Sequence, residues 1–219
     1  MNSREIALGV LLLVCTLGMG GCGGGSGDAR TEELWVIDFD THGDEVASTV
    51  LELDLNYEQF VESTMDQLRE MYVSRFYPGG FAITFVNGTA ERSSTESAIC
   101  VRWGPDSRVG RAKLDIGNDS PDFNCGQGDG GPLGAFIDTL SFLYLPQLAG
   151  RDLSKEQRTD AFAGLLALVL AHEIGHSLGL EHTNGIMASF PNFDIGTNQM
   201  FTQSQERLLY ENIVRPQGR

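Results

Sequence analysis

The chain has 219 residues, with 30 Asp and Glu against 15 Lys and Arg and a formal net charge of −15. That length supports one domain with a real hydrophobic core and leaves little room for a second. The negative charge is spread without a block of like sign, which argues against a nucleic-acid partner and against direct adhesion to anionic lipid.

The N-terminus reads as an export signal over residues 1–21: Arg4, an almost wholly apolar run from Ile6 to Leu17, then small residues. The apolar run is short for a membrane span. Met19-Gly20-Gly21-Cys22 is a bacterial lipobox with Met19 in place of the usual Leu, so Cys22 is the expected lipidation site. The competing reading is ordinary cleavage nearby with Cys22 a bystander. Residues 22–30 are a Gly-rich tether and 31–219 the folded domain. The expected address is the bacterial cell envelope, with membrane contact through the lipid alone.

Leu34 to Phe39 is rich in β-formers and predicts a first strand, and the apolar–acidic alternation of Leu51 to Leu55 predicts a second. From Tyr57 to Phe76, Phe60, Val61, Met65, Leu68, Met71 and Tyr72 recur at helical spacing until Pro78-Gly79-Gly80 stops the run. Strands are expected at Phe81 to Val86, Ala98 to Trp103 and Arg111 to Ile116. Asn87-Gly88-Thr89 is a turn that doubles as a glycosylation sequon, which a bacterial source would leave unused.

Asp115, Asn118, Asp119, Asp122 and Asp129 are hard oxygen ligands in a loop-rich stretch that suits calcium, though such residues equally make turns. With Cys15 in the leader and Cys22 at the lipidation site, Cys100 and Cys125 remain, an even pair that in an exported protein points to a disulfide. Ala135 to Leu145 has the composition of a strand. Ser154-Lys155-Glu156-Gln157 is a capping-box signature and the apolar run from Ala161 to Leu170 follows it, so a long helix is expected to start near Ser154 or Thr159 and to end at Gly179.

That helix carries the chemistry. His172 and His176 lie four apart, one turn above each other, and can aim ring nitrogens at one point. Gly179 can end the helix in a left-handed conformation, so that the chain turns back and His182 supplies a third nitrogen. Glu173, beside the first ligand, is the expected general base. A lone histidine on an apolar helix is more often a core residue; three at this spacing point to a metal. His42, the fourth histidine, sits in a polar turn and is expected to be solvated.

His172 to His182 reads HExxHxxGxxH, and Asn184-Gly185-Ile186-Met187 follows it. The pair resembles the zinc signature and Met-turn of the metzincin metallopeptidases. Met187 would then form an apolar floor beneath the ligands. Met200 to Tyr210 is similar to the terminal helix of matrixin-type catalytic domains, and Gly128 to Ala135 to their metal loop and edge strand. The sequence departs from some metzincin branches in having Ser189 where they place a Tyr ligand, and Asn124-Cys125-Gly126 lies too deep in the domain to be a cysteine-switch latch.

The resemblance implies an α+β zincin: a twisted, mostly parallel sheet with an antiparallel edge strand, a backing helix, an active-site helix, and a small C-terminal subdomain over 183–219. Ala135 to Leu145 is then the candidate edge that binds substrate backbone. The implied activity is zinc-dependent endopeptidase action on protein or peptide. Two alternatives stand beside it: a surface lipoprotein that keeps the scaffold only for binding, and a site in which Glu206 replaces His182.

Overall fold

A computed structural model describes residues 33–77, 80–89, 97–102, 117–118, 134–148, 150–188 and 199–214. In chain order these form β1 (Glu33–Asp38), α1 (Gly43–Glu52), α2 (Tyr57–Met71), β2 (Ile83–Asn87), β3 (Ser97–Arg102), β4 (Gly117–Asn118), β5 (Gly134–Phe136), α3 (Ile137–Leu148), α4 (Lys155–Ser177), a single 3-10 turn (Gly185–Met187) and α5 (Gln203–Val214). The sheet order is β2-β1-β3-β5-β4, with the first four strands parallel and β4 antiparallel to β5.

Strand register builds the core. Trp35 lies beside Phe85, Ile37 beside Ile99, and Val101 beside Ala135. Successive side chains on a strand alternate faces, so these six share one face, and all six belong to the main apolar cluster. Val36, Ala98, Cys100 and Phe136 fall on the other face and are buried too. Burial on both faces is why β1 and β3 read as nearly unbroken apolar runs. Cys100, on that second face, is disulfide-bonded; its partner lies outside the described residues, as does Cys125.

Helix α2 starts where Asn56 Oδ1 accepts from Gln59 N at 3.1 Å. It buries Phe60, Thr64, Met65, Leu68 and Met71, a stripe at helical period that faces α4. Phe60 stacks on Phe162 of α4 at 5.3 Å, and Phe162 meets Tyr144 of α3 at 4.9 Å. Each such ring removes apolar area worth about 1.5–3 kcal/mol, so this aromatic chain ties three helices together. The last helix, α5, is held by a buried carboxylate: Glu206 Oε2 accepts from Ser74 Oγ at 2.8 Å, Arg75 N at 3.0 Å and Phe76 N at 3.3 Å.

Two expected strands are helical instead. Leu51 and Glu52 end α1, and the chain turns through Leu53 and Asp54 before Leu55 enters the core. The stronger signal is Val46 and Val50, four apart and both fully buried; the alternation that follows is an accident of the helix end. Ala135 to Leu145 is the last two residues of β5 and then α3. There Ile137, Leu140 and Tyr144 are buried while Phe142 and Leu145 are exposed, a helical period that β-rich composition hides. The sheet edge beside β5 is therefore β4 and not this segment. The strand expected at Arg111 to Ile116 lies outside the described residues.

Tyr144 donates its phenol O–H to Arg158 O at 2.7 Å, and burial pushes its pKa up to about 12. The folded state thus holds a proton that the unfolded chain releases near pH 10. The resulting stabilisation is complete below that pH and is lost as the pH rises toward 12. Buried Tyr72 is shifted in the same direction. Urea denaturation followed from pH 9 to 12 should show stability falling across that window, with a shallower fall in Tyr144→Phe; parallel curves would remove Tyr144 as a cause.

Candidate metal centre

Helix α4 is opened by a full capping box: Gln157 N donates to Ser154 Oγ at 3.2 Å and Ser154 N donates to Gln157 Oε1 at 2.9 Å. From Leu165 to Gly175 every residue is buried, so the helix is fixed on all sides before it reaches the histidines. Tyr72 adds a tie by donating to Ala171 O at 3.0 Å, one residue ahead of His172.

The helix ends in a Schellman reversal. Gly179 N donates to His176 O and Leu180 N to Gly175 O, both at 2.9 Å. Gly179 has φ +86°, the left-handed region that side-chain-bearing residues resist. A Cβ there would also lie 2.8 Å from Asn212 Nδ2, because Asn212 of α5 reaches in to donate to Leu178 O at 2.7 Å. The reversal buries Leu180 and returns the chain so that His182 faces the two helical histidines.

The three rings converge through Nε2. His172 and His176 are 3.0 Å apart at these atoms, His176 and His182 3.1 Å, and His172 and His182 3.3 Å. His172 Nδ1 lies 2.7 Å from Ile186 O and His176 Nδ1 2.8 Å from Leu180 O. A carbonyl can only accept, so these Nδ1 atoms carry the hydrogens and their Nε2 lone pairs point inward. The triangle matches a metal: ligands about 2.0–2.1 Å from zinc in a tetrahedron stand roughly 3.3 Å from one another. The donor set fits zinc, with one tetrahedral position left over. Burial falls along the trio, with His172 buried, His176 half-buried and His182 exposed.

Met187 is completely buried and packs against Gly175, which lies between His172 and His176 in sequence. A Cβ at Gly175 would sit 2.7 Å from Met187 Sδ, so the glycine in the middle of α4 makes room for the methionine side chain. Glu173, buried at 6% exposure, lies one residue after His172 and three before His176, the spacing of neighbours on a helix surface. Glu206 is no ligand. Its carboxylate is turned to the 74–76 turn, and the metal-capable group among the described residues is the histidine trio. His42 is half-buried at the start of α1, outside that group and less solvated than its polar turn implied. Cys22 and the calcium candidates Asp115, Asp119, Asp122 and Asp129 lie outside the described residues; of that set only Asn118, at the end of β4, is within them.

Sequence reasoning passed over Gly175, Gln205 and Asn212. Gly175 did carry a signal, since a glycine inside a helix costs about 1 kcal/mol and calls for a reason. Gly175→Ala should recover that propensity and lose more through overpacking against Met187, for a net destabilisation of about 1–2 kcal/mol. Urea denaturation of the metal-free protein would measure it, and a stabilised variant would show that the methionine has room to move.

The family model for Matrixin, Peptidase M10, matches residues 57–206. That span runs from the start of α2 to the first turn of α5 and takes in all three histidines and Met187. No curated protein and no solved structure matches the chain. With more than half its length matched and three imidazole nitrogens gathered as zinc requires, the chain belongs to the matrixin family of zinc metallopeptidases.

Proposed function

We propose that this matrixin is an exported endopeptidase, anchored to a bacterial envelope by a lipid on Cys22, in which His172, His176 and His182 carry the zinc and Glu173 is the general base. The observation that carries this reading is the Nε2 triangle of 3.0–3.3 Å with a buried carboxylate next in sequence to its most buried member. Zinc held there supplies a Lewis acid and lowers the pKa of a water ligand to about 7.

The chain's own groups do the rest. Three neutral imidazoles hold the metal without cancelling its charge. Glu173 takes a proton from the attacking water as its oxygen bonds to the scissile carbonyl carbon, and then delivers that proton to the amine as the C–N bond breaks. Met187 and Leu180 pack apolar surface against Gly175, between the two helical ligands in sequence. A scaffold kept only for binding has no use for a buried base at this position, which favours turnover over the binding-module reading.

Glu173→Ala should keep one zinc per chain and the fold while kcat/KM on a casein-type substrate drops by about 10²–10⁴-fold. Cleavage at the wild-type rate would sink the assignment. No helix among the described residues is long and apolar enough to cross a membrane, so the envelope attachment rests on the leader and Cys22. Cys22→Ser should move the protein from the detergent phase to the aqueous phase of a Triton X-114 partition. Equal partitioning of the two would remove the lipid.

A further inference from the structure

We infer that Gln205 is a positioning residue for the zinc site, setting metal affinity by fixing the loop that carries His182. This rests on the proposed role of His182 as third ligand. His172 and His176 are aimed twice, by the rigid helix below them and by a carbonyl on each Nδ1. His182 is exposed, and no carbonyl among the described residues takes its Nδ1. Its direction is therefore set by the backbone on either side.

That backbone is held by α5. Gln205, buried at 3% exposure, donates from Nε2 to Thr183 Oγ1 at 2.7 Å and to Asn184 O at 2.9 Å, the two residues that follow His182. Its Oε1 accepts from Thr202 N at 2.8 Å, and Thr202 Oγ1 accepts from Gln205 N at 3.4 Å, a capping box at the start of α5. The amide is fully used, with its oxygen on a donor and its nitrogen on two acceptors. Thr183 N closes the loop by donating to Met187 O at 2.8 Å. At the other end Asn212 holds Leu178 O, so one helix grips the reversal before and after the third histidine.

Capping and positioning can be separated. Gln205→Glu keeps an oxygen for Thr202 N and so preserves the cap, but sets a second oxygen against Asn184 O, which cannot donate. Zinc dissociation constants are to be measured by chelator competition on the full protein. The expected result is that Gln205→Glu binds zinc about tenfold more weakly with helix content unchanged, and that its Co²⁺ derivative shows a shifted d–d band. Thr183→Val removes one acceptor from the loop and leaves α5 intact; it should weaken zinc about threefold and carries the test if Gln205→Glu does not fold. Asn56→Ala, which loosens the distant start of α2, is the control for general destabilisation and should leave zinc affinity unchanged. Affinities of Gln205→Glu and Thr183→Val within twofold of wild type, or an equal loss in Asn56→Ala, would overturn the inference while leaving the zinc site standing. A wild-type chain that bound no zinc would overturn both.

Discussion

Three imidazole nitrogens facing one another across 3.0–3.3 Å are the constraint on which the rest of this structure depends. With both helical Nδ1 atoms committed as donors, the inward nitrogens of His172 and His176 have no proton to share. Buried or half-buried acceptors so arranged are unfavourable until a cation stands between them. The fold must therefore hold the rings together on its own account, and it does so from two directions. One is α4, enclosed for about two turns below the site. The other is the short segment from Leu180 to Met187, which supplies the third imidazole, the carbonyls that orient the first two, and the methionine packed against Gly175. Ligands and supporting shell thus occupy eight consecutive residues and the helix they fold back upon.

Such economy needs close approach, and two glycines permit it. At Gly179 the backbone conformation itself excludes other residues and Asn212 occupies the space a side chain would need. At Gly175 the helix is ordinary and the pressure comes from Met187. The first glycine is demanded by geometry and the second by packing. A substitution at either is felt at the metal for different reasons: one redirects the chain, the other crowds the methionine.

This difference explains what was legible in the sequence. Features whose partners lie within one or two helical turns could be read directly: His172 with His176, the reversal at Gly179, the capping box at Ser154 and the buried stripe of α2. Where two local patterns compete, the shorter one misleads, as with the alternating Leu51 to Leu55 and the β-rich Ala135 to Leu145. In both cases a helical spacing of larger apolar residues, Val46 with Val50 or Ile137 with Leu140 and Tyr144, decided the outcome. Residues whose partners are remote could not be read. Glu206 bonds across roughly 130 positions to the 74–76 turn and Gln205 across about 20 to the loop, and nothing near either residue announces that partner. Only the local half of Gln205, its capping pair with Thr202, was written in the sequence.

The gradient of burial along the three histidines has an energetic counterpart. His172 is fixed by the core, so its contribution to metal binding is largely preorganised; His182 is exposed, and ordering it must be paid for when the metal binds or beforehand by the fold. Contacts that hold the 180–187 segment therefore act as metal ligands at one remove. By linkage, any bond that raises the population of the closed segment raises zinc affinity by the same factor, and zinc stabilises the segment in return. Gln205 and Asn212 bond to Thr183, Asn184 and Leu178 on either side of the third histidine, which brings α5 into that coupling. It follows that the domain's C-terminal helix belongs to the metal site thermodynamically, and that loosening it should be visible first in metal retention and only afterwards in global unfolding.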